Sequence, residues 1–190
     1  MNFAETKLPG AFIVDLEPRG DERGFFSRTW CEREFADAGL SATISQANVS
    51  LSRDKGTVRG MHLQLPPAAE VKLVRCIRGA IYDVIVDLRP SSPTFCEWVG
   101  VELTSENRRA LYVPEGFAHG FQTLTNDAEV FYQVSEFYTP EYETGFRYND
   151  PRFGIEWPQE VTVVTEKDSS WPDFEPIQAL ESVPVPGGIS

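Results

Sequence analysis

The chain is punctuated too often for long helices: short runs rich in Val, Ile, Phe and Tyr recur along it, each closed by a turn signal. The candidate strands are residues 11–16, 44–50, 57–64, 71–78, 80–88, 96–103, 110–113, 119–125 and 129–137. Gly79 joins two of them, Pro90-Ser91-Ser92-Pro93 separates two more, and Asn126-Asp127 makes another tight turn. The helical stretch is short, residues 32–38, with Gly39 placed to end it. Many short strands with turns between them predict an all-β sandwich or barrel. A length of 190 residues suits one domain with a real core. That domain is expected over residues 1–173, with the Pro-, Ser- and Gly-rich stretch 174–190 as a loose surface tail.

Alternation assigns faces within these strands. In the run from Val71 to Ile77, Lys72, Val74 and Cys76 share one face and Leu73, Arg75 and Ile77 the other. Tyr132, Val134, Glu136 and Tyr138 share a parity, as do His62 and Gln64, and His119 and Phe121. Polar groups mixed with aromatics on one face suggest a barrel interior that holds a ligand. Arg59 falls on the face opposite His62 under strict alternation, and a bulge at Gly60 would bring both to the cavity.

Histidine occurs twice, in Arg59-Gly60-Met61-His62-Leu63-Gln64 and in Pro114-Glu115-Gly116-Phe117-Ala118-His119-Gly120-Phe121. An imidazole is the side chain best suited to take a proton near neutrality, and a carboxylate partner would orient it. Asp168 is such a partner for His62 if the chain folds back; a hydrogen-bonded structural histidine is the alternative. Lys72 can stabilise an oxyanion in a dry site or be a solvated strand lysine. Tyr132 and Tyr138 can be core aromatics, or phenols that act as general acids. Arg23, Arg59 and Lys167 can grip phosphate or lie on a solvated face.

Charge and cysteine content narrow the partners. A net charge of −12 argues against nucleic acid and anionic membrane, but not against a small anion held by local cations. No signal peptide is expected from the first residues, and no apolar run approaches the roughly 20 residues of a membrane span. Cys31, Cys76 and Cys96 lack Cys-x-x-Cys spacing and read as reduced cytosolic thiols, so a cytoplasmic protein is expected. Pro114-x-Gly116-x-x-His119 matches an element of cupin barrels. The usual metal-binding His-x-His is here His62-Leu63-Gln64, and with two imidazoles and a nearby lysine no metal is expected.

Taken together, the strings resemble the dTDP-4-dehydrorhamnose 3,5-epimerase family, a sugar-nucleotide epimerase branch of the cupins. The matching strings include Asp21-Glu22-Arg23-Gly24-Phe25-Phe26, Gln46-Ala47-Asn48-Val49-Ser50, and Gly56 to His62. They continue through Lys72-Leu73-Val74-Arg75-Cys76, Asp83 to Arg89, Ser92-Pro93-Thr94, and Pro114 to Phe121. The last are Tyr132, Tyr138-x-Pro140-x-x-Glu143, Asp150-Pro151 and Lys167-Asp168, so the resemblance spans residues 8–173.

The resemblance implies a double-stranded β-helix, the cupin jelly roll, and a cofactor-independent epimerase acting on C3 and C5 of a nucleotide-linked 4-keto-6-deoxyhexose. It implies His62 as base with Asp168, Tyr132 as acid from the opposite face, and Lys72 at the enolate oxygen. Arg23, Phe26, Gln46, Asn48, Arg59, His119, Tyr138, Glu143 and Lys167 match substrate-binding positions. It also implies a homodimer with exchanged N-terminal strands, in which Arg23 serves the neighbouring site. Arg28, Ala47 and Leu63 stand where the family usually carries Glu, Asp and Tyr. The other readings are a single-centre epimerase, a 3,4-ketoisomerase on the same scaffold, a metal-dependent cupin oxygenase and a non-catalytic nucleotide-sugar binding module.

Overall fold

A computed structural model describes residues 1–185. Two antiparallel sheets face each other, and every strand pair within them is antiparallel. One sheet holds β1 (Asn2–Glu5), β2 (Phe12–Asp15), β5 (Gln46–Ser52), β7 (Lys72–Arg78), β10 (Ala110–Val113) and β12 (Ala128–Val134), in the order β1-β2-β10-β7-β12-β5. The other holds β6 (Val58–Gln64), β8 (Ala80–Asp87), β9 (Trp98–Thr104), β11 (Phe117–Thr123) and β13 (Glu143–Gly145), in the order β13-β6-β11-β8-β9. The hairpin β3 (Arg19–Asp21) and β4 (Gly24–Phe26) stands apart from both. This is the cupin jelly roll.

Alternation builds three apolar layers from these strands. The inward faces supply Val74 and Cys76 from β7, Ile81 and Ile85 from β8, Leu111 and Val113 from β10, and Phe117 and Phe121 from β11. The outward residues Leu73, Ala110 and Tyr112 of the first sheet are covered by Phe35 of α1 (Glu32–Asp37). Gly39, at φ +73°, turns the chain out of that helix. The outward residues of the second sheet, Met61, Leu63, Val84, Val86 and Ala118, are just as apolar and need their own cover.

That cover is the C-terminal part of the chain. Phe146, Phe153, Phe174, Leu180 and Val183 pack on this outer face, and Phe146 exchanges backbone hydrogen bonds with Met61 at 3.3 and 3.2 Å. Residues 174–185, expected as a loose tail, are therefore held down, with Leu180 at 0% exposure inside a short 3₁₀ helix (Gln178–Ser182). Composition misled here: the Pro, Ser and Gly of the full 174–190 stretch drew the reading, but apolar residues among 174–185 meet an uncovered sheet. Residues 186–190 of the expected tail lie outside the described residues.

Other differences are local. The run expected to reach residue 137 ends as a strand at Val134, so Tyr138 owes its place to a loop and not to strand parity. β1, β3, β4 and β13 have three or four residues each, too few to show a period. Among the described residues no helix is long and apolar enough to cross a membrane. Leu180→Ala should cost about 3–5 kcal/mol in denaturant unfolding, the range for a fully buried leucine that leaves a cavity. A loose tail would show no change.

Candidate active site

The cleft lies between the two sheets, and strand register sets its walls. Tyr132 on β12 is directly opposite Asn48 of β5 and Val74 of β7; Val134, two residues on, is opposite Gln46 and Lys72. Gln46, Asn48, Lys72 and Tyr132 thus emerge on one face. From the other sheet, His62 of β6 is paired with His119 of β11. Two residues along β11, Phe121 is paired with Arg59, three residues back on β6, so Gly120 alone is opposite Gly60 and Met61. This is the bulge expected at Gly60, and it returns Arg59 to the cleft side with His62. Only glycine serves at residue 60: φ is +120°, and a Cβ there would lie 2.5 Å from Gly120 Cα.

Two connected compartments result. One, of about 320 Å³, is lined by Arg59, His119, Asp168 and the shared residues His62, Lys72 and Tyr132. The other, of about 390 Å³, shares those three and adds Gln46, Asn48, Glu70, Tyr138 and Glu143.

Asp168 reaches His62 because residues 162–163 return along residues 56–58: Thr57 bridges Val163, and the Val58 N–H donates to the Val163 carbonyl at 2.9 Å. Asp168 then lies in α2 (Glu166–Ser170), capped by the Thr165 hydroxyl, which accepts from the Asp168 N–H. Asp168 Oδ1 is 2.7 Å from His62 Nε2, and Oδ2 accepts the Gly60 N–H at 3.3 Å. Burial pushes the Asp168 carboxyl up, but hydrogen bonding and charge from His62, the Gly60 N–H and the Thr165 hydroxyl prevail and hold it below its ordinary range. An ionised carboxylate only accepts, so Nε2 carries the proton and Nδ1 the lone pair.

Further ionisable groups stand around this pair. The Lys72 ammonium donates to Glu70. The Tyr132 phenol is pushed up by burial and then by the Glu70 charge, against a smaller opposing effect of Arg59, so it is neutral at physiological pH. His119 Nε2 is 2.8 Å from Oδ1 of Asp83, a wholly buried carboxyl whose other oxygen has no partner among the described residues. Burial pushes Asp83 up, and His119 works against that rise. Glu70 and Asp83 went unnoticed as site residues in the sequence reading. A charged residue inside the apolar run 80–88, in parity with the inward Ile81 and Ile85, was the available signal for Asp83.

At the rim, Glu143 accepts from the Tyr138 hydroxyl at 2.7 Å and from Lys167 Nζ at 2.6 Å. Burial raises the Glu143 carboxyl, and these two donors bring it below its usual value. The Tyr138 N–H donates to Gln46 Oε1 at 2.6 Å, fixing the loop. Arg59 donates to Ser52 Oγ and to the Leu51 carbonyl. Arg23 and Phe26 are the exceptions. Within one chain they do not line the cleft: Arg23 pairs with Asp21 with its side chain 84% exposed, and Phe26 is 73% exposed on the β3–β4 hairpin. Leu63 packs in the outer layer, and Arg28 pairs with Glu34. Among the described residues no three His, Cys, Asp or Glu side chains group as metal ligands.

The fold and cleft define a cupin barrel whose interior is lined by acid–base side chains. A family model, dTDP-4-dehydrorhamnose 3,5-epimerase, matches residues 5–176. The enzyme of that name from Methanothermobacter thermautotrophicus is 46% identical over 172 residues, covering 89% of this chain and 92% of its own. The solved Bacillus anthracis dTDP-4-dehydrorhamnose 3,5-epimerase with TDP and PPi bound is 40% identical, with TM-score 0.88 over 91% of this chain and 99% of its own. A 3'-monoepimerase from Streptomyces bikiniensis in complex with dTDP-quinovose is 33% identical, with TM-score 0.80 over 86% of this chain and 83% of its own. The chain belongs to the dTDP-4-dehydrorhamnose 3,5-epimerase family and is an isomerase-class enzyme, a carbohydrate epimerase.

The depressed Asp168 carboxyl predicts a pH-dependent stability contribution. It is full above the ordinary aspartate value, about 3.9, and is lost as pH falls through the lower folded value. Asp168→Asn should cost about 1.5–3 kcal/mol at neutral pH, the range for a hydrogen bond to a charged group. The gap between wild type and variant should close between about pH 5 and pH 2 in denaturant unfolding. A gap that stays constant across that range would contradict the assignment.

Proposed function

We propose that the protein inverts C3 and C5 of a nucleotide-diphosphate-linked 4-keto-6-deoxyhexose, of the dTDP-4-dehydro-6-deoxy-D-glucose type. The observation that carries this reading is the placement of His62, tied to Asp168, and Tyr132 on opposing sheets across one cleft, with Lys72 beside both. The 4-keto group acidifies the hydrogens on its neighbouring carbons. His62 Nδ1 takes the proton from C3, the C–H electrons form the C3=C4 bond, and the carbonyl electrons move onto oxygen as an enolate. The Lys72 ammonium meets that oxygen. The enolate collapses as Tyr132 delivers its phenolic proton to the other face of C3, and solvent exchange resets base and acid. The same sequence at C5 completes the reaction without a cofactor.

Gln46, Asn48, His119, Tyr138 and Glu143 hold the nucleotide sugar, and Arg59 and Lys167 the diphosphate. Nucleotide-sugar binding is supported by relatives solved with TDP and PPi and with dTDP-quinovose. Arg23 and Phe26, exposed and away from the cleft, belong in this reading to a homodimer that exchanges its N-terminal strands and completes each site from the other subunit. The unpaired Cys31, Cys76 and Cys96 suit a cytoplasmic enzyme. The likeness to a 3'-monoepimerase favours a second reading, inversion at C3 alone.

Deuterated water separates the two. Turnover of the 4-keto sugar nucleotide should place label at both C3 and C5; label at C3 alone selects the second reading, and label at neither sinks both. Tyr132→Phe should retain exchange but lose inversion. His62→Ala should lose exchange by about 10²–10⁴-fold, the usual contribution of a positioned base.

A further inference from the structure

The proton transfers engage His62, Tyr132 and Lys72, and assign no role to Glu70, which lines the same cleft. Glu70 lies on the loop between β6 and β7, and its side chain lines the same compartment as those three residues. It is 10% exposed, and the Lys72 side chain 13%. A carboxylate and an ammonium so far from solvent are held together by each other, because either alone would stay at a large desolvation cost. An ammonium has three N–H donors. One goes to Glu70, and no other group among the described residues accepts from Lys72 Nζ.

We propose that Glu70 is a positioning residue for Lys72: its carboxylate anchors the ammonium so that the two remaining N–H groups face the place where the enolate oxygen develops. This rests on the reading of Lys72 as the group that meets that oxygen. Without the anchor, a flexible four-carbon side chain must find its geometry during the reaction, and preorganisation is lost. With it, the oxygen meets donors already in place, next to a carboxylate that offsets the ammonium's charge.

A second consequence makes the role separable from mere packing. Glu70 faces Lys72 from β7 and Tyr132 from β12; His62 of β6, Glu143 of β13 and the loop residue Tyr138 line the same compartment, and Arg59 acts on Tyr132 from the other side. After burial, the Glu70 charge is the next cause that raises the Tyr132 phenol. Neutralising Glu70 makes the phenolate easier to form, so the pH above which Tyr132 stops donating must fall.

The test is Glu70→Ala and Glu70→Gln in the full chain, followed by solvent deuterium incorporation and by kcat and KM across pH. Glu70→Ala should lower kcat about tenfold with little change in KM, below the 10²-fold that a misplacement of about 1 Å can cost. Glu70→Gln, which keeps an acceptor oxygen, should recover most of kcat. In both variants the alkaline limb of the kcat profile should move to lower pH. Wild-type kcat in Glu70→Ala, or an alkaline limb that stays in place in both variants, overturns the proposal. If Glu70→Ala does not fold, the isosteric Glu70→Gln still decides by its alkaline limb. His62→Ala in the same assay separates the two levels: normal turnover there would remove the underlying acid–base reading, whereas its loss beside an unaffected Glu70→Ala removes only the role of Glu70.

Discussion

The site depends on the contact between β6 and β11 at Gly60 and Gly120, where two backbones approach so closely that neither position admits a side chain. The extra β6 residue at this point reverses parity, which lets Arg59 and His62 share the cleft while Met61 points into the outer layer. A bulge also takes a backbone donor out of the ladder. Here the Gly60 N–H goes to Asp168, the carboxylate that holds His62. One local irregularity therefore sets the direction of two cleft side chains and fixes the partner of one of them.

The sheet that carries His62 and His119 is apolar on both faces, and this links stability to the site. Its inner face meets the opposite sheet; its outer face is satisfied by Phe146, Phe174, Leu180 and Val183. The segment that runs from that cover back toward β6 also delivers Asp168. Loosening the C-terminal packing would thus be felt at the His62–Asp168 contact, and Leu63 belongs to both the outer layer and the cleft lining.

Much of the fold was legible because its central strands keep a clean period of two. The run 71–78 divided correctly into Lys72, Val74 and Cys76 facing inward and Leu73 outward, and the Gly60 bulge followed from the conflict at Arg59. The three-residue elements β3, β4 and β13 carry no measurable period and went unread. The 174–185 segment was misread because composition reports solubility, whereas its few buried residues answer an uncovered surface elsewhere in the chain. At the site, strand neighbours could be inferred from parity; Asp168 could not, because its approach depends on a return of the chain 106 residues after His62. Glu70 was hidden for a similar reason: on a loop, the position of a carboxylate follows no alternation.

The polar pairs of the cleft leave one cation apart. Asp168 is matched by His62, Asp83 by His119, Glu70 by Lys72 and Glu143 by Lys167, whereas among the described residues Arg59 is bonded only to a hydroxyl and a carbonyl. In a protein of net charge −12, that guanidinium, bonded to no carboxylate among the described residues, gives the trough a positive end. For an anion with one charged head and one uncharged ring, the trough therefore has a heading: the field orients the visitor before any shape is tested.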